Sequence, residues 1–122
     1  STSNTFILSL EKEKFHYKSR KKLLADSEII LNCLRKIANF LINNYSLKGM
    51  ILTGGDTAVS ICREVNAYGI QIMEEISPGI PGGLIIGGKL SGLPIITKAG
   101  GFGKKQAILK GIKYIEKNKI SQ

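Results

Sequence analysis

Residues 49–65 read Gly-Met-Ile-Leu-Thr-Gly-Gly-Asp-Thr-Ala-Val-Ser-Ile-Cys-Arg-Glu-Val, and this stretch decides the fold class. Its first part, residues 49–53, is a brief apolar run that stops at Gly54-Gly55, as a buried strand ending in a turn does. Beyond the glycines, apolar residues recur at three- and four-residue steps, which indicates one face of a helix. The order strand, glycine turn, helix predicts an α/β domain.

The same order of elements recurs near the carboxyl end. Residues 93–97 (LPIIT) predict a strand, residues 99–103 (AGGFG) a glycine-rich turn, and regularly spaced isoleucines a final helix. Both turns leave the carboxyl ends of strands, the edge at which open parallel sheets bind ligands. We therefore expect a layered α/β sandwich with a largely parallel sheet. Its two glycine-rich loops should lie together at the carboxyl edge of the strands, where they could hold one polyphosphate. The alternative is that glycines such as Gly101 and Gly103 merely allow a tight turn.

The rest of the chain predicts further elements. An amphipathic helix begins near Ser27, with Asp26 placed to cap its first turn. Residues 77–83 (SPGIPGG) combine two prolines with three glycines, which predicts a structured turn between strands. Short apolar runs predict additional strands at residues 4–10, 70–76 and 84–86.

Composition sets broad limits on the class of protein. The chain has 122 residues and 43% hydrophobic content, which is typical of one domain with a modest core. No apolar run approaches the roughly 20 residues that cross a bilayer, so we expect no membrane partner. The polar amino terminus lacks the features of a signal peptide, and we expect a cytoplasmic location. Cys33 and Cys62 sit in helical apolar patterns and are predicted to be buried free thiols.

The charge is strongly basic. Eighteen Lys and Arg against nine Asp and Glu give a formal net charge of +9, concentrated in residues 12–22 and 98–119. Such a charge attracts polyanions, and nucleic acid, nucleotide phosphates and plain solubility all remain open. A basic nucleic-acid-binding module is therefore the alternative function. The sequence has no zinc spacing, aromatic platform or RNA-recognition signature, so nucleic acid is the less favoured partner.

Several polar residues near the turns have two interpretations. Asp56 either caps its own helix or faces a ligand, through a metal ion or a hydroxyl proton. Lys104 and Lys105 stand at the start of the final helix, where the helix dipole disfavours cations. A bound anion would remove that conflict, or both lysines bend into solvent. His16 has no Cys, Asp or second His arranged around it, which argues against a metal site.

These same residues resemble the four-carbon acid sugar kinase family, specifically its carboxy-terminal nucleotide-binding domain. The motif-bearing region covers residues 48–117. The signature elements occur within it in order, at residues 53–58 (TGGDTA), 75–81 (EISPGIP), 92–94 (GLP) and 97–103 (TKAGGFG).

The resemblance implies ATP-dependent phosphorylation of a hydroxyl on a four-carbon sugar acid such as threonate, erythronate or a 3-oxo-tetronate. ATP and Mg²⁺ are the implied cofactors, and Asp56 is the candidate for catalysis or for contact with Mg²⁺. Carried over by motif, the residues implied to contact ATP are Gly54, Gly55, Asp56, Thr57 and Gly100. The further contacts that we infer in the second loop are Lys98, Gly101 and Gly103.

The resemblance also sets expectations for the domain. Residues 1–122 are expected to be the carboxy-terminal part of a kinase nucleotide-binding domain. Family members also carry an amino-terminal substrate domain and a Gly-Ser element that contacts ATP, and we expect neither in these residues. The chain alone is therefore expected to be inactive, with the sugar acid held by that other domain. A non-catalytic fragment that joins a partner chain or a second copy remains an alternative.

Overall fold

A computed structural model describes Thr5, Ile7, Leu8 and residues 20–100 and 106–118. Within these ranges the elements follow the order α1-β1-α2-β2-β3-β4-α3. The helices are α1 (Arg20–Asn44), α2 (Gly55–Glu64) and α3 (Gln106–Asn118). The strands are β1 (Met50–Thr53), β2 (Gly69–Ser77), β3 (Ile80–Ile86) and β4 (Pro94–Lys98). The α/β class is confirmed.

The four strands form one mixed sheet in the order β1-β4-β3-β2. Strand β1 is parallel to β4, whereas β3 is antiparallel to both of its neighbours. The expected largely parallel sheet is therefore wrong for the described strands. Only Pro78 and Gly79 join β2 to β3, and residues 87–93 join β3 to β4. Parallel pairing needs a crossover of about a dozen residues or more, so these short links force antiparallel pairs.

The turn predicted at residues 77–83 is also shorter than expected, because β3 begins at Ile80. Gly83 lies within the strand, where an added Cβ would stand 2.1 Å from the backbone oxygen of Gln71. The close approach of β2 excludes any side chain at this position. Pro81 pairs with Glu75 next to an irregularity in the β2–β3 register, where a proline is tolerated.

Apolar residues form a cluster on each face of the sheet. Along β4 the side chains alternate, so Ile95 and Ile96, each 1% exposed, belong to opposite clusters. The first cluster packs under α2 and contains Leu52, Ile61, Ile85, Leu93 and Ile95. The second packs under α3 and contains Ile80, Ile96, Ala107 and Tyr114. The sheet is thus covered by helices on both faces.

Helix α1 begins at Arg20, earlier than the predicted start near Ser27. Asp26 therefore lies inside the helix, and its predicted capping role is wrong. Apolar residues Leu23 and Leu24 extend the helical pattern toward the amino end, although both are exposed. None of the helices in the described ranges has the length and hydropathy needed to cross a membrane.

Polar contacts hold α1 against α2. The Arg35 guanidinium donates a hydrogen bond of 2.7 Å to the hydroxyl of Ser60. One turn further along, the Asn39 amide donates to the Glu64 carboxylate. No residue of α1 is buried, although the partly buried Ala38 packs against the first apolar cluster.

The two cysteines differ from each other. Both thiols are free, as predicted, but Cys33 is exposed on α1 and Cys62 is half-buried on α2. The predicted burial is therefore wrong for Cys33. Only one side of α1 packs against α2, so the rest of the helix is open to solvent. Most of the predicted strand at residues 4–10 lies outside the described residues, as do most of the basic cluster at residues 12–22 and His16.

Candidate functional site

Two glycine turns leave the sheet side by side. Strands β1 and β4 are parallel neighbours, and their last residues, Thr53 and Lys98, are partners in the register. The pairing continues one residue beyond β1, because the Gly54 amide donates a 2.7 Å hydrogen bond to the Lys98 carbonyl. Gly54 therefore begins one turn directly beside the Ala99-Gly100 turn that follows β4.

The hairpin between β2 and β3 reaches the same edge. Because β3 runs antiparallel to β4, the start of β3 lies near the end of β4, with Gly82 opposite Ile96. The hairpin residues Pro78 and Gly79 precede that start. The Gly79 amide donates a 2.9 Å hydrogen bond to the Glu75 carboxylate, which closes the turn. Three separate segments of the chain thus meet at one edge of the sheet.

The amino end of α2 faces this edge. Gly54 is the N-cap residue, with φ 97° and ψ 131°, and no side chain caps the helix. Asp56 lies within the first turn and is exposed, so its interpretation as the cap is wrong. The first amides of a helix have no partner within the helix, which leaves donors at Gly55, Asp56 and Thr57 for a ligand. The helix dipole adds partial positive charge there.

Lys98 brings a full positive charge to the second turn. Its ammonium donates to the carbonyl oxygens of Ala99 and Gly100, at 3.2 and 3.4 Å. The side chain is half-buried, so the charge is held over the turn. An added Cβ at either Gly55 or Gly100 would meet nothing within 4 Å. The backbone of both turns is therefore open to a ligand.

A cleft of 520 Å³ begins at these turns and follows α2. Gly54, Gly55 and Lys98 lie at one end of it, and Tyr68 lies past the carboxyl end of α2. We name it the glycine-turn cleft. It is lined by Gly54, Gly55, Ala58, Val59, Cys62, Arg63, Ala67, Tyr68, Gly69, Ile70, Gly79, Pro81, Thr97, Lys98 and Ala99. The lining is polar backbone and a lysine at the turns, and mainly apolar side chains between them and Tyr68.

The half-buried wall of the cleft includes the Cys62 thiol, and burial raises the pKa of this thiol. Two larger lining residues, Arg63 and Tyr68, are exposed, with 89% of the Tyr68 side chain accessible. Sequence reasoning did not identify either of them as a site residue. Nothing in their local spacing singles them out, because only the packing of α2 on the sheet brings them to the cleft.

The sequence-predicted site residues divide into three groups. Those that line the cleft are Gly54, Gly55 and Lys98. Those that stand beside it are Asp56 and Thr57, in the first turn of α2, and Gly100, in the turn after β4. Those that lie outside the described residues are Gly101, Gly103, Lys104 and Lys105. In residues 20–100 and 106–118, no three His, Cys, Asp or Glu side chains group as a metal site.

Comparisons with known proteins identify the family of the chain. Residues 3–108 match the family model described as a nucleotide-binding C-terminal domain. A D-threonate kinase of Bordetella bronchiseptica is 31% identical over 97 residues, which cover 80% of this chain and 24% of that protein. A D-threonate kinase of Salmonella typhimurium is 38% identical over 62% of this chain and 18% of its own length. A D-erythronate kinase of Heliobacterium modesticaldum is 31% identical over 61% of this chain.

Solved structures also share the fold. A domain from Bordetella bronchiseptica, described as a domain-swapped dimer with bound citrate, superposes with a TM-score of 0.64 at 31% identity. The match covers 72% of this chain and 22% of that one. A Haemophilus influenzae protein gives a TM-score of 0.62 at 24% identity, covering 79% of this chain and 24% of that one. The chain spans about a quarter or less of these relatives, and it belongs to the four-carbon acid sugar kinase family, as a nucleotide-binding C-terminal domain.

Proposed function

We propose that this chain binds Mg-ATP at the glycine-turn cleft, as the nucleotide-binding part of a kinase for four-carbon sugar acids. One observation carries the proposal: the β1–β4 register and the Gly54–Lys98 hydrogen bond hold two glycine turns side by side. Two adjacent turns can contact successive phosphates of one nucleotide, whereas either turn alone is a common local feature.

The phosphates are proposed to lie between the amino end of α2 and the Lys98 ammonium. The donors are the first amides of α2, which have no capping side chain. Lys98 adds a cation that can turn from its own carbonyl oxygens to a phosphate oxygen. Because Gly55 and Gly100 leave the backbone uncovered, a polyphosphate can approach it closely.

Asp56 fits a role through Mg²⁺. Its exposed carboxylate stands in the first turn of α2, next to the proposed phosphates, and direct contact between the two anions would be repulsive. When bound, Mg²⁺ neutralises phosphate charge during phosphoryl transfer. The Asp56 carboxylate can orient that ion. Without the ion, the dipole of α2 stabilises the negative charge of the carboxylate.

The base and ribose are proposed to lie along α2 toward Tyr68. The ten residues of α2 extend about 15 Å, comparable to an extended nucleotide. The cleft volume of 520 Å³ is within the range of small-molecule sites. Ala58, Cys62 and Ile70 give this part of the cleft an apolar lining suited to an aromatic base.

The sugar acid is proposed to bind mainly to a part of the protein beyond this chain. The relatives named D-threonate and D-erythronate kinases are several times longer than the region matched here. We expect the 122-residue chain to show no sugar-acid kinase activity by itself. ADP formation that depends on D-threonate or D-erythronate in a coupled assay would contradict the proposal that the sugar acid binds outside this chain. Self-association is a further expectation, supported by the domain-swapped dimer of the Bordetella relative.

The two cysteines give a direct test of nucleotide binding. Cys62 lines the cleft, whereas Cys33 is exposed on α1 and serves as the internal control. Iodoacetamide labelling of both thiols would be followed by peptide mass spectrometry, with and without Mg-ATP. We expect Mg-ATP to slow labelling of Cys62 several-fold and to leave Cys33 unchanged. Equal slowing of both thiols, or none at Cys62 up to millimolar nucleotide, would remove the cleft as the site.

A further inference from the structure

A second cavity lies on the opposite face of the sheet, between α3 and the edge strand β2. We name it the α3 cavity; it has a volume of 270 Å³ and shares no lining residue with the glycine-turn cleft. Its walls are formed by Glu74, Glu75, Ile76, Lys110, Lys113, Tyr114 and Lys117. The residues that carry its chemistry are three lysines, two carboxylates and one phenol.

The hydroxyl of Tyr114 has no hydrogen-bond partner in the described structure. The side chain is 5% exposed, and its ring packs in the apolar cluster under α3. Gly82 lies close to the ring, since an added Cβ there would be 3.1 Å from Cε1 of Tyr114. A phenylalanine would fill the same space without leaving a buried polar group unpaired. The hydroxyl is therefore suited to an acceptor that enters the cavity.

The lysines form a stripe on α3. Lys110, Lys113 and Lys117 follow one another at three- and four-residue steps, so they lie along one side of the helix. All three are exposed, and within the described ranges none forms an ion pair. Like charges at this spacing repel each other, which an anion placed between them would relieve.

The opposite wall is acidic but only partly available. The Glu75 carboxylate accepts a hydrogen bond from the Gly79 amide and is thereby held toward the hairpin turn. Glu74 is exposed. Burial raises the pKa of the Tyr114 hydroxyl, and the charge of Glu74 raises it further, so the hydroxyl stays a donor at neutral pH. The cavity thus offers cations and a phenol to an anion, and one carboxylate acceptor to a hydroxyl donor.

We propose that the α3 cavity binds a small phosphate monoester that also carries hydroxyl groups. The phosphate would lie between the lysines and the Tyr114 hydroxyl, and a ligand hydroxyl would donate to Glu74. A phosphate monoester carries a charge of about −1.5 to −2 near pH 7. This charge suits the three lysines better than the single negative charge of a ligand with one carboxylate group. The volume is slightly below the usual range for drug-sized ligands, which favours a molecule of a few carbons. The site is independent of nucleotide binding at the cleft.

The test is an NMR titration of the ¹⁵N-labelled 122-residue chain with glycerol 3-phosphate, inorganic phosphate and glycerate in parallel. We expect glycerol 3-phosphate to bind most tightly and to shift the amides of residues 74–76 and 110–117. The amides of residues 54–57 and 98–100 should move less. Shifts confined to the glycine turns, or glycerate binding as tightly as glycerol 3-phosphate, would overturn the proposal.

Variants distinguish a specific binding site from the general attraction of an anion to a basic protein. Lys113→Ala should lower the affinity for glycerol 3-phosphate about fivefold, whereas Lys36→Ala, an exposed helical lysine on α1, should leave it unchanged. Glu74→Gln should raise the affinity for inorganic phosphate, because it removes a repelling charge, and should reduce the preference for glycerol 3-phosphate over inorganic phosphate, because it weakens the acceptor for the ligand hydroxyl. Equal losses for Lys113→Ala and Lys36→Ala would show that net charge alone attracts the ligand.

Tyr114→Phe tests the unpaired hydroxyl without disturbing the packing. It should weaken glycerol 3-phosphate severalfold and leave the melting temperature of the free chain unchanged or higher. Weakened binding with an intact melting temperature assigns the hydroxyl to the ligand. A lower melting temperature with unchanged affinity would mean that the hydroxyl is satisfied within the protein, which would overturn the proposal.

Discussion

The turns after β1 and β4 stand next to each other, yet glycine has a different role in each of them. Gly54 has φ 97°, a backbone conformation that residues with a Cβ rarely adopt. An added Cβ there would have room, since its nearest neighbour is the Thr57 hydroxyl at 3.6 Å. Gly100 has no positive φ, and no atom of the described residues lies within 4 Å of an added Cβ. The first glycine serves the fold, whereas the second leaves space that a ligand can use.

This difference changes how substitutions in the two turns are to be interpreted. A side chain at Gly54 strains the link between β1 and α2, so any loss of binding there is mixed with a loss of stability. A side chain at Gly100 strains nothing that the structure describes. The two positions therefore separate the folding role of the edge from its proposed binding role.

The largest expected effect on stability is that of Gly54→Ala. Forcing a non-glycine residue into this conformation costs about 1–3 kcal/mol of unfolding free energy. Urea unfolding of the wild type and the variant would measure the change. A variant as stable as the wild type would show that the turn relaxes to a negative φ, and the contrast with Gly100 would disappear.

Gly100→Asp should have the reverse profile. An added Cβ at Gly100 meets no described atom within 4 Å, so the unfolding free energy should change by no more than about 0.5 kcal/mol. Repulsion of a polyphosphate should lower the Mg-ATP affinity at least about tenfold, equivalent to about 1.4 kcal/mol. Calorimetry on folded protein provides the measurement, and Gly100→Asn is the matched neutral control. Equal affinity in the aspartate variant and the wild type would place the phosphates elsewhere.

Lys98→Gln sharpens the comparison by removing the cation between the two turns. The ammonium contacts only carbonyl oxygens of its own turn in the described structure, so stability should change little. Mg-ATP affinity should fall about fivefold at low salt, and the loss should shrink as salt is added. A loss that is independent of salt would point to a structural role for Lys98 instead.

The smallest effect is expected for Gly55→Ala. This residue is the first of α2, has open space for a Cβ and does not have a positive φ. Alanine restricts the unfolded chain, so stability should rise by about 0.4–1 kcal/mol. Thermal melts would detect the gain. If Mg-ATP affinity then fell while stability rose, the backbone at Gly55 would be a point of close approach to the nucleotide.

Local patterns were enough to predict the strand, turn and helix that bear the first motif. The strand, turn and helix of residues 49–65 lie where the change in apolar spacing predicts them. Apolar spacing and two adjacent glycines determine local backbone structure, so they can be interpreted without knowledge of distant contacts. The confirmed strand at residues 69–77 follows the same logic. Asp56 was left with two interpretations, and only the position of the helix start decided against capping.

What could not be predicted depends on contacts between distant residues. Gly82 and Gly83 were interpreted as part of a turn from composition alone. They lie in β3, where Ile76 and the backbone of Gln71 leave no room for side chains. Strand direction, by contrast, was within reach of the sequence, because the predicted strands at residues 70–76, 84–86 and 93–97 are joined by links too short for a parallel crossover. The far end of the cleft, at Tyr68, is assembled by tertiary packing and has no local signal.

The pairing of β1 with β4 also bears on the order in which the chain folds. The β2–β3 hairpin closes through a short local turn, whereas β1 and β4 must enclose α2, β2 and β3 before they meet. Closing the longer loop costs more chain entropy, so this pairing is expected to form late. Contacts absent from the folding transition state act mainly on the unfolding rate. A nucleotide bound across the Gly54–Lys98 hydrogen bond should therefore slow unfolding of the domain while leaving its folding rate nearly unchanged.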